Sequence, residues 1–379
     1  MFKTAAPVDP SQLADALKPF GESRMLPVAA YLSEEVLAWE RQHLFHGWVA
    51  LGRSEEIKRP RMMKAFSAGA GGVLVTRDDA GVLHGFENAC RHRGHELLPC
   101  DGTAENRAIV CPYHAWSYRL DGSLIGAPGH KDAPGFDPAS YPLVRVEVRE
   151  WHGWLFADRG ATKTFEEHVE GLDDIVARYE GEDLVTKVFH EYDVEANWKV
   201  VVENYQECYH CSSIHPELCK VSPPDSGENL PPQGDWVGGG MDLREFADTM
   251  SLDGSSGGVL IDSLNEVEQR TVMYVALLPN MLISLHPDYV MTHLLTPLAS
   301  GRTRIRCSWA FPAKAADAEG FDPSYAVDFW DLTNRQDWAA CESVQRGMST
   351  PGYTPGPLAP AEDGVYDFVT YVARAYQGG

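Results

Sequence analysis

The chain has 379 residues, 44% of them hydrophobic, which is enough for two or three domains with buried cores. Its formal net charge is −23, and a surface this acidic repels phosphate backbones, so nucleic-acid binding is not expected. No apolar run approaches the ~18 residues that a membrane-spanning helix needs, and the N-terminus lacks the apolar core of a signal peptide. We therefore expect no membrane association and a cytoplasmic location.

The first part of the chain, residues 1–44, is predicted to be a helical arm. Ser33 followed by Glu34 and Glu35 is typical of a helix start, because the Ser side chain caps and the acids favour the N-terminal end. Apolar residues then recur at helical spacing.

From residue 45 the hydrophobic period changes to two, which predicts a small antiparallel β domain over 45–165. Two of its loops each carry one Cys and one His, as a C-x-H and a C-x2-H clip: Cys90, His92, Cys111 and His114. Two thiolates can hold one iron of a [2Fe–2S] cluster and two imidazoles the other. Zinc is the alternative, since Cys2His2 sets also form closed zinc sites, although zinc fingers usually pair Cys with Cys.

A second domain, over 166–379, is predicted to be α+β, with an antiparallel sheet and helices on one face. One helix is expected over roughly 199–212 and a longer one over roughly 323–348. Residues 221–265 are rich in Pro and Gly pairs, which predicts a long loop. That loop is either a mobile lid over an active site or a disordered insertion.

The helix near residue 200 leads into a second group of metal-ligand residues. Glu207 and His210 are three apart and would share a helix face. Pro216 disfavours the α conformation at His215, which lets His215 fold back beside His210. Two His and a carboxylate form the facial triad of non-haem iron oxygenases, and Asp337 on the long helix is the predicted carboxylate. Two unrelated surface or core histidines are the alternative.

Together these residues resemble the catalytic α subunit of Rieske non-haem iron oxygenases over most of the chain. The Cys-x-His and Cys-x2-His clips resemble the family's cluster signature, with Ala115 where the family often has Gly. Glu207, His210 and His215 match its acid-x2-His-x4-His motif. Glu at position 207, within Glu-Cys-Tyr-His-Cys, is more similar to the branch of choline monooxygenase, glycine betaine and stachydrine demethylases, and carnitine monooxygenase.

The resemblance implies a Rieske [2Fe–2S] domain, a helix-grip (Bet v1/START-like) catalytic domain with mononuclear Fe(II), and a homotrimer. A separate NAD(P)H-dependent reductase would feed electrons to the cluster, and dioxygen would react at the iron. Glu207 would join a cluster His of one subunit to His210 of the next, with Glu203, one turn earlier, as the rival.

The implied reaction is oxidative N-demethylation or hydroxylation of a small quaternary ammonium or betaine-type molecule. The same iron chemistry also allows ring hydroxylation or O-demethylation of an aromatic acid. A third possibility is a Rieske electron carrier or sensor without a second iron.

Candidate substrate contacts stay open at this point. Aromatic faces hold a quaternary ammonium well, and each candidate is also compatible with core packing: Tyr205, Tyr209, Trp236, Tyr274, Tyr289 and Trp309. Four arginines could bind a substrate carboxylate, and each could equally lie on a solvated surface: Arg270, Arg302, Arg304 and Arg306. The cysteines outside the cluster show no spacing that demands disulfides and are expected to be thiols: Cys100, Cys208, Cys211, Cys219, Cys307 and Cys341.

Overall fold

The computed structural model describes residues 4–68, 71–130 and 133–378, so the first three residues of the predicted arm lie outside it. The chain divides into two compact units, a smaller one of Phe45–Ala161 and a larger one of Met1–Leu44 with Thr162–Gly379. Both are built on antiparallel sheets, and the α-helices of the described residues belong to the larger one, which confirms the predicted α+β class. Among the described residues, no helix is both long and apolar enough to cross a bilayer.

In its described residues, the smaller unit contains ten strands, which are joined by loops and two short 3-10 helices. Its strands are β1 (Val49–Arg53), β2 (Met62–Ala68), β3 (Gly71–Arg77), β4 (Leu83–Glu87), β5 (Thr103–Glu105), β6 (Ile109–Val110), β7 (Ser117–Tyr118), β8 (Leu124–Gly126), β9 (Arg145–Trp151) and β10 (Trp154–Asp158). Seven of them pair in the order β1-β10-β9-β4-β3-β2-β5, and β6, β7 and β8 form a second sheet. Cys90 and Cys111 belong to the same buried cluster as Phe86 and Trp116, so the core itself fixes the loops that carry these thiols.

The larger unit has one seven-stranded sheet in the order β11-β17-β16-β15-β14-β13-β12. Its strands are β11 (Leu184–Val194), β12 (Glu228–Asn229), β13 (Trp236–Asp242), β14 (Thr271–Leu277), β15 (Met281–Leu285), β16 (Val290–Ala299) and β17 (Arg302–Pro312). Buried and less buried residues alternate in the first half of β17, as in a strand with one face on the core, and residues 307–311 are buried on both faces.

The helices of the larger unit include the arm and the long helix that the sequence predicts. They are α1 (Pro10–Ala16), α2 (Ala29–Leu32), α3 (Glu34–His43), α4 (Phe165–His168), α5 (Asp173–Ala177), α6 (Trp198–Tyr205), α7 (Cys211–Ile214), α8 (Pro216–Val221), α9 (Ala313–Ala316), α10 (Ser324–Met348) and α11 (Asp363–Tyr376). The Ser33 hydroxyl caps α3 by accepting a hydrogen bond from the backbone N–H of Val36 at 3.3 Å. Helix α10 packs against α6, α8 and β11, and this packing sets the position of its central residues.

The predicted loop over 221–265 is irregular only in part, because it contributes β12 and β13 to the sheet. The Gly238-Gly239-Gly240 run, a loop signal in the sequence, lies inside β13. A Cβ atom on Gly239 would lie 2.1 Å from the carbonyl oxygen of Glu228, so only glycine allows β12 to pair this closely. The loop interpretation is therefore wrong for residues 236–242, where glycine serves strand pairing.

Candidate metal centres and active site

Two loops of the smaller unit bring the four predicted cluster ligands together. The Cys90 and Cys111 thiols are buried, and the rings of His92 and His114 lie 4.7 Å apart between centroids. Burial raises the pKa of the Cys90 thiol, so its thiolate needs a nearby positive charge, which an iron ion supplies. The Nδ1 atom of His92 is buried without a hydrogen-bond partner among the described residues. Two thiols and two imidazoles are the ligand set of a Rieske [2Fe–2S] cluster. The unpaired Nδ1 of His92 is available as one of these ligands.

The two clips share one backbone geometry. In the first, the carbonyl of Cys90 accepts a hydrogen bond from the N–H of Gly94 at 2.9 Å, and in the second the carbonyl of Cys111 accepts from Ala115 at 3.0 Å. The residue that closes each turn is left-handed, with φ of +71° at Gly94 and +57° at Ala115. Ala115 therefore occupies a conformation that favours glycine, which gives a physical reason for the glycine that the family often has there.

Two aromatic residues that the sequence did not single out hold the ligands in place. The Tyr118 hydroxyl accepts the Arg91 N–H at 3.1 Å, which leaves its own proton to donate toward the Cys90 sulfur at 3.3 Å. The Trp116 ring stacks on His92 with centroids 5.0 Å apart and planes 4° apart. Hydrogen bonds to the ligand sulfurs tune the potential of an iron–sulfur cluster, so Tyr118 is positioned to do this.

The second predicted metal group lies in the larger unit. One ligand atom from each of His210, His215 and Asp337 lies within 4.8 Å of the others. The Nε2 atom of His215 is 2.8 Å from Asp337 Oδ1 and 3.2 Å from His210 Nε2. His210 Nε2 is 3.4 Å from Asp337 Oδ1. Two imidazoles and one carboxylate that converge in this way can hold a non-haem iron and leave other coordination positions open.

The local structure that positions these residues differs from the predicted helix. Helix α6 ends at Tyr205, so Glu207 and His210 lie in the turn that follows rather than on one helix face. The expected helix through residue 212 is therefore wrong, and the turn itself brings Glu207 back onto His210. The prediction for His215 is confirmed, because it has φ −120° and ψ 66°, outside the α region, immediately before Pro216.

A disulfide between Cys208 and Cys211 spans this turn, with Cα atoms 4.9 Å apart. The prediction that both are thiols is wrong, because the turn between α6 and α7 brings the two residues within disulfide range. The other predicted thiols are free: Cys100, Cys219, Cys307 and Cys341. Spacing in the sequence does not show which cysteines a turn will bring together.

The far nitrogen of each imidazole is held by a side chain. His215 Nδ1 donates to the Gln336 side-chain oxygen at 2.7 Å, and His210 Nδ1 donates to the Glu207 carboxylate. The second Glu207 oxygen accepts the backbone N–H of His210 at 3.0 Å. These contacts fix both rings with Nε2 turned toward the point where the three ligand atoms meet, as is typical of metal-ligating histidines. Gln336 was not predicted to have a role, and its position beside Asp337 was the only signal.

The charges of this group favour a bound cation. Burial acts to raise the pKa of Asp337, but hydrogen bonds from His210 and His215 hold it below the usual value. Burial acts to lower the pKa of His210, but the carboxylates of Asp337 and Glu207 raise it to about 9. The two carboxylates thus attract positive charge to the point where the three ligand atoms meet.

Glu203, the rival of Glu207, lies in a different environment. It is buried and accepts a hydrogen bond from the Tyr31 hydroxyl at 2.7 Å. Burial raises its pKa to about 8. Of the two acids, Glu207 is the one with a hydrogen bond to His210 in the described structure.

A cavity of about 740 Å³ borders His210, His215 and Asp337. Three of the candidate aromatic residues line it, namely Tyr205, Tyr209 and Tyr274. Trp330 of α10, which was not a candidate, lines it as well. The other three candidates do not line the cavity and are fully or almost fully buried: Trp236, Tyr289 and Trp309. For these three, core packing is the correct alternative.

The four candidate arginines have other partners and do not line this cavity. Arg302 and Arg304 both pair with Asp193 at the surface. Arg270 donates to backbone carbonyls, including that of Ala247 at 2.7 Å. The Arg306 guanidinium lies 4.3 Å from the ring centroid of Phe189. None of the four arginines is therefore placed to bind a substrate carboxylate in this cavity.

A β unit with a two-Cys, two-His loop pair and an α+β unit with a two-His, one-carboxylate group define a Rieske-type iron oxygenase. The family model described as "Rieske [2Fe-2S] domain" matches residues 47–142. The model described as "Ring hydroxylating alpha subunit (catalytic domain)" matches residues 182–378. The chain belongs to this ring-hydroxylating α-subunit family.

Membership confirms the predicted cofactor classes, a Rieske [2Fe–2S] cluster and a mononuclear non-haem iron. It also confirms that the chain is an oxygenase component, which works with a reductase, a substrate and dioxygen. An electron carrier or sensor would not need the catalytic domain.

Several curated relatives share most of the chain. The glycine betaine monooxygenase oxygenase subunit of Chromohalobacter salexigens is 28% identical over 94% of this chain and 87% of the relative. The chloroplastic choline monooxygenase of Beta vulgaris is 26% identical over 94% and 78%. The carnitine monooxygenase oxygenase subunit of Escherichia coli is 33% identical over 52% of this chain and 53% of the relative.

Solved structures share the fold over nearly the whole chain. A quaternary ammonium Rieske monooxygenase in complex with L-carnitine has a TM-score of 0.79 at 23% identity and covers 98% of this chain and 99% of that one. Naphthalene 1,2-dioxygenase from Rhodococcus sp. has a TM-score of 0.78 at 19% identity and covers 97% and 98%. The same architecture therefore accommodates both kinds of oxygenase.

Proposed function

We propose that the chain oxidises a small quaternary ammonium compound, by N-demethylation or by hydroxylation. The observation that carries this proposal is the aromatic wall beside the iron ligands. Tyr205 and Tyr274 have ring centroids 5.9 Å apart, and Tyr274 and Trp330 have centroids 6.2 Å apart. Rings of this kind attract a methylated ammonium by ~0.5–2 kcal/mol each. Relatives named for glycine betaine, carnitine and choline support the same substrate class.

In this proposal the [2Fe–2S] cluster is held by Cys90, His92, Cys111 and His114. The mononuclear iron is held by His210, His215 and Asp337. When bound, these groups supply electrons and activate dioxygen.

The protein side chains orient the iron ligands and the substrate. Glu207 accepts the Nδ1 proton of His210, and Gln336 accepts that of His215, so both rings keep the geometry and tautomer that iron binding requires. The aromatic wall places a methylammonium group next to the metal and excludes water from that side.

We further propose a homotrimer, in which Glu207 also accepts a hydrogen bond from a cluster His of the neighbouring subunit. A separate NAD(P)H-dependent reductase in the cytoplasm supplies the electrons. The proposed organisation is an arm over 1–44, a Rieske domain over 45–165 and a catalytic domain over 166–379. The irregular parts of 221–265 are proposed to cover the cavity, since Pro224 and Asp225 line it.

The test is a substrate screen with the metal-loaded protein and a surrogate reductase. Trimethylammonium compounds and aromatic acids are compared by dioxygen uptake, formaldehyde release and the mass of the product. We expect dioxygen uptake coupled to a product that has lost a methyl group or gained an oxygen, only with the ammonium compounds. The His215→Ala variant is the control for chemistry at the iron. Hydroxylation or O-demethylation of the aromatic acids alone would replace the proposal with the alternative, which the aromatic wall also admits.

A further inference from the structure

The cavity beside the iron ligands has an uneven charge. Its lining contains five carboxylate side chains, and no Lys or Arg from the described part of the chain. The five are Glu207, Asp225, Glu228, Asp337 and Asp363. Glu207 and Asp337 belong to the metal group, so three acids remain that face the cavity without a metal-site role.

These three acids keep their charge available to a ligand. Asp225, Glu228 and Asp363 form no ion pair with any Lys or Arg that the structure describes. Asp225 and Glu228 are exposed, and Asp363 is half-buried and accepts a hydrogen bond from the Asn229 side chain at 2.8 Å. Carboxylates along a cleft repel an anionic group and attract a cation, an effect that salt screens. A substrate carboxylate would therefore meet repulsion here and no basic partner.

The wall of the cavity also contains a neutral donor without a partner. Gln206 is 5% exposed and lines the cavity, and its Nε2 atom has no hydrogen-bond partner in the described structure. A buried amide N–H without a partner costs free energy, which a ligand oxygen can recover. A hydroxyl or carbonyl oxygen of the substrate can accept from this donor without being repelled by the nearby acids. A substrate carboxylate at the same place would be repelled by them.

We infer that the substrate is a methylated ammonium with a net positive charge that carries a neutral oxygen group, as in an amino alcohol. Zwitterionic betaines, which carry a carboxylate, are discriminated against. This inference rests on the proposed function and narrows it. The rings of Tyr205, Tyr274 and Trp330 take the methylammonium end, the acids supply the long-range attraction, and Gln206 donates to the oxygen.

Choline and glycine betaine test the inference, because they share the trimethylammonium group and differ only in a hydroxymethyl against a carboxylate. Binding to the metal-loaded protein is measured by calorimetry without oxygen, and dioxygen uptake is measured with the reductase. We expect choline to bind at least tenfold more tightly, with a preference that shrinks as salt is raised. Tighter binding of glycine betaine would overturn the inference and leave the proposed function standing. Binding of neither would also overturn the inference, and the substrate screen above would then decide the proposed function separately.

Two sets of variants assign the preference to residues. Glu228→Lys should reverse the preference toward glycine betaine, and the matched Glu228→Gln should only reduce it. Gln206→Leu should weaken choline binding about tenfold and leave tetramethylammonium, which has no oxygen, unchanged. A choline preference that survives Glu228→Lys would contradict the role of the acids. Equal losses of choline and tetramethylammonium binding in Gln206→Leu would contradict the role of Gln206.

Discussion

The two metal centres of this chain are built in different ways. The cluster ligands lie within residues 90–114, on two loops with the same backbone turn, and their thiols are part of the core. The iron ligands come from distant parts of the chain, and His215 and Asp337 are 122 positions apart. The first centre depends on local turns, whereas the second depends on the packing of α10 against α6 and α8. The two centres should therefore fail separately.

The largest expected effect is the loss of one centre without the other. His210→Ala should lose the mononuclear iron, because only one imidazole and one carboxylate remain, and turnover should fall by at least ~10³-fold. The cluster should keep its visible absorption, since its ligands lie in the other unit. Iron content per chain and the absorption spectrum measure this.

Cys111→Ser is the reverse variant and should lose the cluster's absorption while the larger unit still binds iron. Loss of both centres in either variant would break the distinction between a local and a long-range site.

A smaller effect is expected at the side chain that orients His210. Glu207→Gln should retain both metals but lower turnover by about 100-fold, because an amide is a weaker acceptor for the Nδ1 proton and carries no charge. The rate at which a pre-reduced cluster is reoxidised, with substrate and dioxygen present, should fall in parallel.

Glu203→Gln is the matched control, since it changes the same group one turn earlier, where the partner is Tyr31. It should keep normal turnover. Equal losses in the two variants would assign the effect to the stability of the region instead of to the contact with His210.

The two centres also differ in how well the sequence predicted them. The cluster ligands could be identified because a clip of three or four residues encodes them directly. Asp337 was chosen from its place on the long helix and supported by the resemblance, since no local pattern pairs it with His215. The turn after Tyr205 was missed because helical spacing continues through it, and the β13 strand was missed because three glycines signal a loop. Gln336 and Gln206 have roles that only the folded structure reveals.

The third prediction compares a buried ion pair from each unit. Lys199 Nζ and Glu40 Oε1 are 2.5 Å apart in the larger unit, with both side chains fully buried. Lys64 and Glu56 are 2.6 Å apart in the smaller unit, with about a tenth of each side chain exposed. Lys199→Met leaves an uncompensated buried charge and should lower the free energy of unfolding by ~3–5 kcal/mol. Lys64→Met should cost less, because water reaches the remaining carboxylate.

Chemical denaturation of each variant measures these losses. Adding Glu40→Gln to Lys199→Met should restore part of the lost stability, because the charge left behind is removed. No recovery in the double variant would mean that Glu40 acts mainly through its other contacts, the Trp198 indole N–H and the Tyr376 hydroxyl.

The smallest expected effect separates the two cluster clips, which share a backbone geometry but not a residue at the left-handed position. Ala115→Gly removes a conformational cost of ~1–2 kcal/mol, partly offset by the backbone entropy of glycine, so stability should rise by up to ~1 kcal/mol. Gly94→Ala should lower it by a similar amount. A Cβ on Gly94 meets no atom within 4 Å, so the loss would be conformational and not steric. Thermal unfolding, followed by the cluster's absorption, measures both, and opposite signs in the two clips would show that one turn geometry serves both pairs of ligands.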